Sequence, residues 1–344
     1  MKIVYSPDHA LHDPKTYFKS GKFHVPQEVP GRAEALVKGL KEAGHAIIAP
    51  DDFGPSPRAA VHTPGYLHFL ETIHERWTAA GMENAEVLPN IHPGRRMSSL
   101  PTGIVGEVGH YTIDMSAPIG PDTWKASVAS SNVALTATRH VLEIDGVSSA
   151  YALCRPPGHH AFQDIAGGFC FLNNIAIAAE YARKSLSRVA ILDVDVHHGN
   201  GTQGIFYNRS DVFTVSLHAD PTDFYPFFSG YAHERGEGDG EGYNLNLPVP
   251  RGTRVEAYLP YLDQALTALK SYAPDMLFVA LGLDAFEGDP FAGLGISTEG
   301  FAEIAKRIAM LDLPTVLIQE GGYNQDCLGE NITSFIAGFE GAMS

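Results

Sequence analysis

One stretch constrains this chain more than any other: Val189-Ala190-Ile191-Leu192-Asp193-Val194-Asp195-Val196-His197-His198-Gly199-Asn200. It opens as an apolar strand and delivers two carboxylates and two imidazoles where the strand ends. It then turns through Gly199-Asn200-Gly201 into a helix-compatible run from Thr202. Strand, polar end, glycine turn and helix, in that order, are how an open parallel α/β sheet presents a site. Alternate residues of an extended chain share a face, so Asp193, Asp195 and His197 can point together. Asp and His at that spacing suit a divalent metal of the zinc type. The same residues would also serve as solvated groups at a strand end, where Asp and His are common.

The flanking sequence supports such a sheet. Strands are predicted at Lys2–Tyr5, Ile47–Ile48, Ala150–Cys154, Val212–Leu217, Met276–Leu281 and Thr315–Gln319. Helical spacing runs over Arg32–Ala43, Pro64–Ala80, Trp124–Ile144, Asn173–Lys184, Val255–Ser271, Thr298–Met310 and from Gln325 onward. The alternation calls for a parallel sheet with right-handed crossovers. Tyr5–Pro30 and the Gly- and Pro-rich stretch Gly81–Pro121 read as loops; one as long as the second is usually a functional or assembly element. Ala219–Gly242 reads as a long loop whose Asp220, Asp223, Glu234, Glu237, Asp239 and Glu241 face either solvent or a cationic substrate.

A chain of 344 residues with 44% hydrophobic content can bury a large core, and residues 1–344 read as a single domain with an insertion at about 81–121. The formal charge of −16 argues against a nucleic-acid surface and favours small cationic ligands. Three cysteines, Cys154, Cys170 and Cys327, make no disulfide framework, and Met1-Lys2-Ile3-Val4-Tyr5 reads as a strand and not a signal peptide. No apolar run is long enough to span a bilayer. A cytoplasmic protein with no membrane partner is the expectation.

Four strands end in chemistry. Cys154 leads to His159-His160, Leu192 to Asp193, Asp195 and His197, Leu281 to Asp284, and Gln319 to Tyr323. In a parallel sheet these ends share one edge. Alone, each has an ordinary reading: Asp284 as a cap, Tyr323 as packing, the tandem histidines as solvated. Together, Asp195, His197 and Asp284 form a three-ligand set that leaves a position open for water and substrate. His159 and His160 could move protons, and Tyr323 could donate to a developing oxyanion. Asp193 and Asn200 could each hold one imidazole and fix its tautomer. Metal-assisted amide hydrolysis needs these parts.

Arg155-Pro156-Pro157-Gly158-His159-His160, Gly167-Gly168-Phe169-Cys170-Phe171-Leu172-Asn173-Asn174, Asp193 to Thr202 and Glu320-Gly321-Gly322-Tyr323 resemble the motifs of the zinc-dependent histone deacetylase superfamily. Within it, the length, the Pro101–Trp124 insertion and Asn200 in place of an Asp are most similar to bacterial acetylpolyamine amidohydrolases. The resemblance implies an arginase-like α/β fold with an eight-stranded parallel sheet and helices on both faces. It implies hydrolysis of the acetamide of acetylated polyamines or diamines, with Zn2+ (or Fe2+) on Asp195, His197 and Asp284. It further implies His160 as general acid and base, His159 as its electrostatic partner, and Tyr323 on the carbonyl oxygen. Gly168, Phe169 and Tyr225 match the substrate tunnel. Asp193, Asp195, His197, Ser216 and Leu217 match a structural K+ site, and Phe206, Arg209, Val212 and Tyr243 a second monovalent site. The insertion implies a homodimer that narrows the tunnel.

One feature departs from that pattern. Val105 and Ser116 stand where acidic residues meet the distal ammonium of a polyamine, with Glu107 and Asp114 nearby. Three other readings compete. A binuclear manganese ureohydrolase needs further carboxylates where Gly199 and Phe286 stand. A deacetylase of acetyl-lysine proteins or other small acetylated amines fits the same site. A non-catalytic binding module would not require every chemical position to be filled.

Overall fold

The computed structural model describes residues 1–19, 21–97 and 99–343. In chain order the strands are β1 (Lys2–Val4), β2 (Tyr17–Lys19), β3 (Lys22–His24), β4 (Ile47–Ile48), β5 (Ser149–Ala152), β6 (Val189–Asp193), β7 (Val212–Ala219), β8 (Asn244–Val249), β9 (Met276–Leu281) and β10 (Thr315–Gln319). Eight of them form one sheet in the order β4-β1-β5-β10-β9-β6-β7-β8, and every neighbouring pair is parallel. This is the α/β fold with an eight-stranded parallel sheet implied by the resemblance.

A parallel sheet covered on both faces needs strands that are apolar throughout. Accordingly β5, β6, β9 and β10 are buried at every residue. Successive residues feed opposite layers: Ala190 and Leu192 pack with the helices Gly31–Glu42, Val255–Tyr272, Thr298–Ala309 and Gln325–Met343, while Val189 and Ile191 pack with Pro64–Ala79, Thr123–Glu143 and Asn174–Arg183. Among the described residues, no helix is long and apolar enough to cross a membrane.

Several elements are not legible in the sequence. The stretch Tyr5–Pro30 is not all loop: it holds a 3-10 turn at Pro7–Leu11 and the antiparallel hairpin β2–β3. Gly81–Pro121 contains the helix Ile104–His110 and a bridge between Val87 and Ile119. Strand β8 was missed because Asn244, Asn246 and Pro248 alternate with its apolar residues. Pro248 is tolerated because β8 is an edge strand. Both asparagines are buried and satisfied by side chains, donating to Gln203 at 3.0 and 2.8 Å.

Candidate active site

The neighbouring strands β5, β10, β9 and β6 all run the same way, so their carboxyl ends converge on one edge. That edge gathers His159, His160, Tyr323, Asp284, Asp195 and His197, and all six are buried. Ligand atoms of Asp195, His197 and Asp284 lie within 4.8 Å of one another. His197 Nδ1 is 3.1 Å from Asp195 Oδ1 and 3.2 Å from Asp284 Oδ2. Backbone amides fix the carboxylates: Val196 donates to Asp284 Oδ1, His197 to Asp195 Oδ1 and Gly321 to Asp195 Oδ2. Gly321 must be glycine, since a Cβ there would stand 2.0 Å from Asp284 Oδ2.

These residues fit a divalent cation. Asp284 Oδ2 is fully buried without a hydrogen bond. Burial, and then the Asp195 charge, push the Asp284 carboxyl above its ordinary range. Two facing carboxylates out of water call for a positive charge between them. Although burial opposes a charged imidazole, the two carboxylates push His197 up to about 9, the same field a metal would satisfy.

The tandem histidines differ in their partners. His159 Nδ1 donates to Asp193 Oδ2 at 3.0 Å, and its Nε2 is 3.9 Å from Asp195 Oδ1. Burial disfavours its charge, but Asp195 and Asp193 outweigh that and raise it to about 10. His160 Nδ1 donates to the neutral Asn200 Oδ1 at 2.7 Å, which leaves Nε2 with a lone pair. Burial and then the charged His159 hold His160 well below the ordinary imidazole value. The ring centroids are 4.0 Å apart.

Aromatic rings wall the approach. Tyr225 meets His160 edge-on at 4.9 Å, and Phe169 lies 5.7 Å from Tyr323. Phe169 adopts φ 69° after Gly168 at φ 54°, a left-handed pair in which a bulky residue is rare. Sequence reasoning missed Phe224, stacked on His197 at 5.0 Å, and Phe291, 4.7 Å from Tyr323. It also missed Tyr17 of β2, 5.3 Å from Phe169, and Lys19, 4.7 Å over Phe291. Phe224 adjoins Tyr225, and Phe291 follows the metal-site loop, so both could have been found; Tyr17 carried no signal. Arg32, buried, stands 4.5 Å over the Tyr323 ring and donates to the Glu320 carbonyl at 2.7 Å. Glu320 in turn accepts the amides of Gly158 and His159 at 2.6 and 3.0 Å, which orients the histidine loop.

The acidic candidates separate. Glu107 is occupied by a bidentate pair with Arg76 at 2.6 and 2.9 Å. Asp114 reaches the aromatic wall, accepting from the Tyr225 hydroxyl at 2.7 Å and the Gly168 amide at 3.3 Å. In the acidic loop, Glu234 turns inward and accepts from Gln203, Gly230 and Asn246. Asp220 closes on Thr222, and Glu237, Asp239 and Glu241 are exposed.

The expected monovalent-site residues are also brought together. Asp193 is in register with Ser216, beside Leu217 in β7. Arg209 donates its amide to the Phe206 carbonyl at 3.0 Å, and Tyr243 accepts from the Thr214 amide in the strand that Val212 begins. The Arg209 guanidinium pairs with Glu180 and Asp211, so any cation there would meet backbone oxygens.

A parallel α/β sheet whose edge carries a buried Asp-His-Asp set, paired histidines and an aromatic approach is an arrangement that suits metal-assisted amide hydrolysis. The match to the histone deacetylase domain extends over residues 26–339. Acetylpolyamine amidohydrolase of Burkholderia pseudomallei is 46% identical over 340 residues, 98% of each chain. Acetylpolyamine amidohydrolase 1 of Pseudomonas aeruginosa is 44% identical over 99% of each, and the Mycoplana ramosa enzyme 40% identical over 99% of this chain and 100% of its own. The crystal structure of the Burkholderia pseudomallei acetylpolyamine aminohydrolase superposes with a TM-score of 0.95, covering 99% of both chains. The chain belongs to the histone deacetylase family, whose members are zinc-dependent.

Proposed function

We propose that this enzyme hydrolyses the acetamide of small acetylated cationic amines of the polyamine or diamine type, releasing acetate. The observation that carries the reading is the buried Asp195-His197-Asp284 set facing the His159–His160 pair. Similarity over the full chain to acetylpolyamine amidohydrolases supports the substrate class. Asp195, His197 and Asp284 would hold a divalent ion, Zn2+ in the first place and Fe2+ in the second. When bound, it would lower the pKa of water and polarise a carbonyl.

The protein's own groups do the rest. His160 takes a proton from the attacking water at its free Nε2 and returns it to the departing amine. His159, held as a cation by Asp193, stabilises the negative charge that develops on the way. Tyr323 donates to the carbonyl oxygen as that charge grows. Phe169, Tyr225 and the Gly168 backbone wall the tunnel, and desolvation there strengthens each of these interactions.

The same reading takes residues 1–344 as one catalytic domain with an insertion at 81–121 that pairs two copies. K+ would sit among the backbone oxygens around Asp193, Asp195, His197, Ser216 and Leu217, and a second monovalent ion near Phe206, Arg209, Val212 and Tyr243. Three free cysteines suit the cytoplasm, and no nucleic-acid or membrane partner is implied. The test is kcat/KM over acetylputrescine, acetylcadaverine, acetylspermidine and acetyl-lysine peptides with zinc-loaded enzyme. The acetylated diamines and polyamines should lead. Faster cleavage of every peptide would overturn the substrate class, and no cleavage of any would overturn the enzyme reading.

A further inference from the structure

Tyr323 follows two glycines, and Gly322 adopts φ 119°. A glycine pair gives the backbone wide freedom. A phenol that must meet one oxygen therefore needs an anchor outside its own turn. Asp289 supplies it. This carboxylate is only 4% exposed and touches none of the expected metal ligands by hydrogen bond. Its Oδ1 accepts the Phe291 amide at 2.9 Å, closing a local turn over Pro290. Its Oδ2 accepts the Tyr323 amide, from another loop, at 2.8 Å.

Asp289 is itself well fixed. Its amide donates to the Phe286 carbonyl at 3.0 Å, and its carbonyl accepts from Ala292 at 3.0 Å. The loop is pinned to Ile296, two residues before the next helix, with Glu287 donating to Ile296 at 2.9 Å and Ile296 to Ala285 at 3.0 Å. The two loops meet again where Leu283 donates to Gly321 at 3.0 Å and Asn324 to Gly288 at 2.8 Å. The Gly322–Tyr323 peptide is held from both sides: Arg32 Nε donates to its carbonyl, and Asp289 accepts its N–H. The same carboxylate holds Phe291, whose ring meets Tyr323 at 4.7 Å and 73°.

We propose that Asp289 is a positioning residue that fixes the Tyr323 phenol, and the Phe291 wall beside it, relative to the metal site. The proposal rests on the catalytic reading of Tyr323 for its rate effect, and on geometry alone for the position. A buried carboxylate that accepts two amides rigidifies both loops, whereas its loss leaves two buried N–H groups unpaired. Asn at this position offers one acceptor oxygen and turns an NH2 towards the other amide, so it should restore part of the effect.

The experiment is a double-mutant cycle on zinc-loaded enzyme with an acetylated diamine, accompanied by zinc content and crystal structures of the variants. Tyr323→Phe alone should lower kcat by about 10²–10³, the usual loss of one oxyanion donor. Asp289→Ala should lower kcat by roughly 10–100-fold with KM within about twofold and zinc retained, because the donor is misplaced and not removed. Asp289→Asn should fall between. In the Tyr323→Phe background, Asp289→Ala should cost less than about threefold more, since residues acting as a unit are not additive. The Asp289→Ala crystal structure should show the Tyr323 ring displaced. Equal losses in both backgrounds, or an unmoved ring with an unchanged kcat, would overturn the proposal. A full rate in Tyr323→Phe would reject the catalytic reading of that tyrosine, and the ring position in Asp289→Ala would still decide whether Asp289 places it.

Discussion

Asp114, from the long insertion, accepts the Tyr225 hydroxyl at 2.7 Å and so ties that insertion to the aromatic wall beside His160. The same oxygen accepts the Gly168 amide at 3.3 Å, next to Phe169 on the other wall. One carboxylate therefore spaces the two walls. Asp114→Ala should relax that spacing and weaken selection by size. We expect kcat/KM for short acetylated diamines to fall about tenfold, the worth of a hydrogen bond to a charged group, while bulkier acetylated peptides lose less. A parallel loss for all substrates would mean that Asp114 serves folding alone.

Asp284 follows β9 and is the third member of the proposed metal-ligand set, and its Oδ2 is buried without a hydrogen bond among the described residues. Asp284→Ala should abolish both zinc retention and turnover, since three ligands are the least that hold a catalytic zinc. Metal analysis after dialysis checks it. Full activity in a sample shown to be metal-free would end the metal hypothesis for the wild type.

His159 and His160 should not be equivalent. If His160, backed by neutral Asn200, carries the proton as proposed, His160→Ala should cost roughly 10²–10⁴ in kcat, the span of general acid–base catalysis. His159→Ala should cost clearly less, because it removes a supporting charge. Single-turnover rates of the two variants decide; equal losses would divide the acid and base roles between them.

Acid sensitivity should come from buried histidines away from the metal. His62 Nε2 accepts the Asn173 amide at 3.0 Å, and burial lowers its pKa to about 4. The unfolded chain, with an ordinary imidazole near 6.5, binds the proton first. The stabilisation is thus fully present above that value and is lost as pH falls towards 4. Within that window His62 should add about 1.4 kcal/mol of instability per pH unit. Denaturant melts of His62→Gln at pH 7 and pH 5 should show a shallower pH slope than wild type. An unchanged slope would place the sensitivity elsewhere, for example at His12, also lowered to about 4 by burial.

The sequence by itself determined the strands that carry the chemistry. Apolar runs such as Met276–Leu281 are buried on both faces whatever their neighbours, so their length and polar ends were legible. The residue types from Asp193 to His197 were legible, but β6 ends at Asp193 and the chain bends through Asp195–His197, so the bend and not strand alternation aims these side chains. Tertiary structure alone decided the rest. Strand β8 hid because its buried asparagines are satisfied by Gln203 and Glu234, partners distant in sequence. Glu234 could not be told from its exposed neighbours, since its pairing with Gln203, Gly230 and Asn246 is what turns it inward. Asp114 and Glu107 look alike in one dimension, yet one faces Tyr225 and the other Arg76. Asp289 reads as a turn residue before proline until the sheet brings β9 beside β10. Local periodicity reports which face is buried; which polar groups meet across that burial depends on strand order, which no single segment encodes.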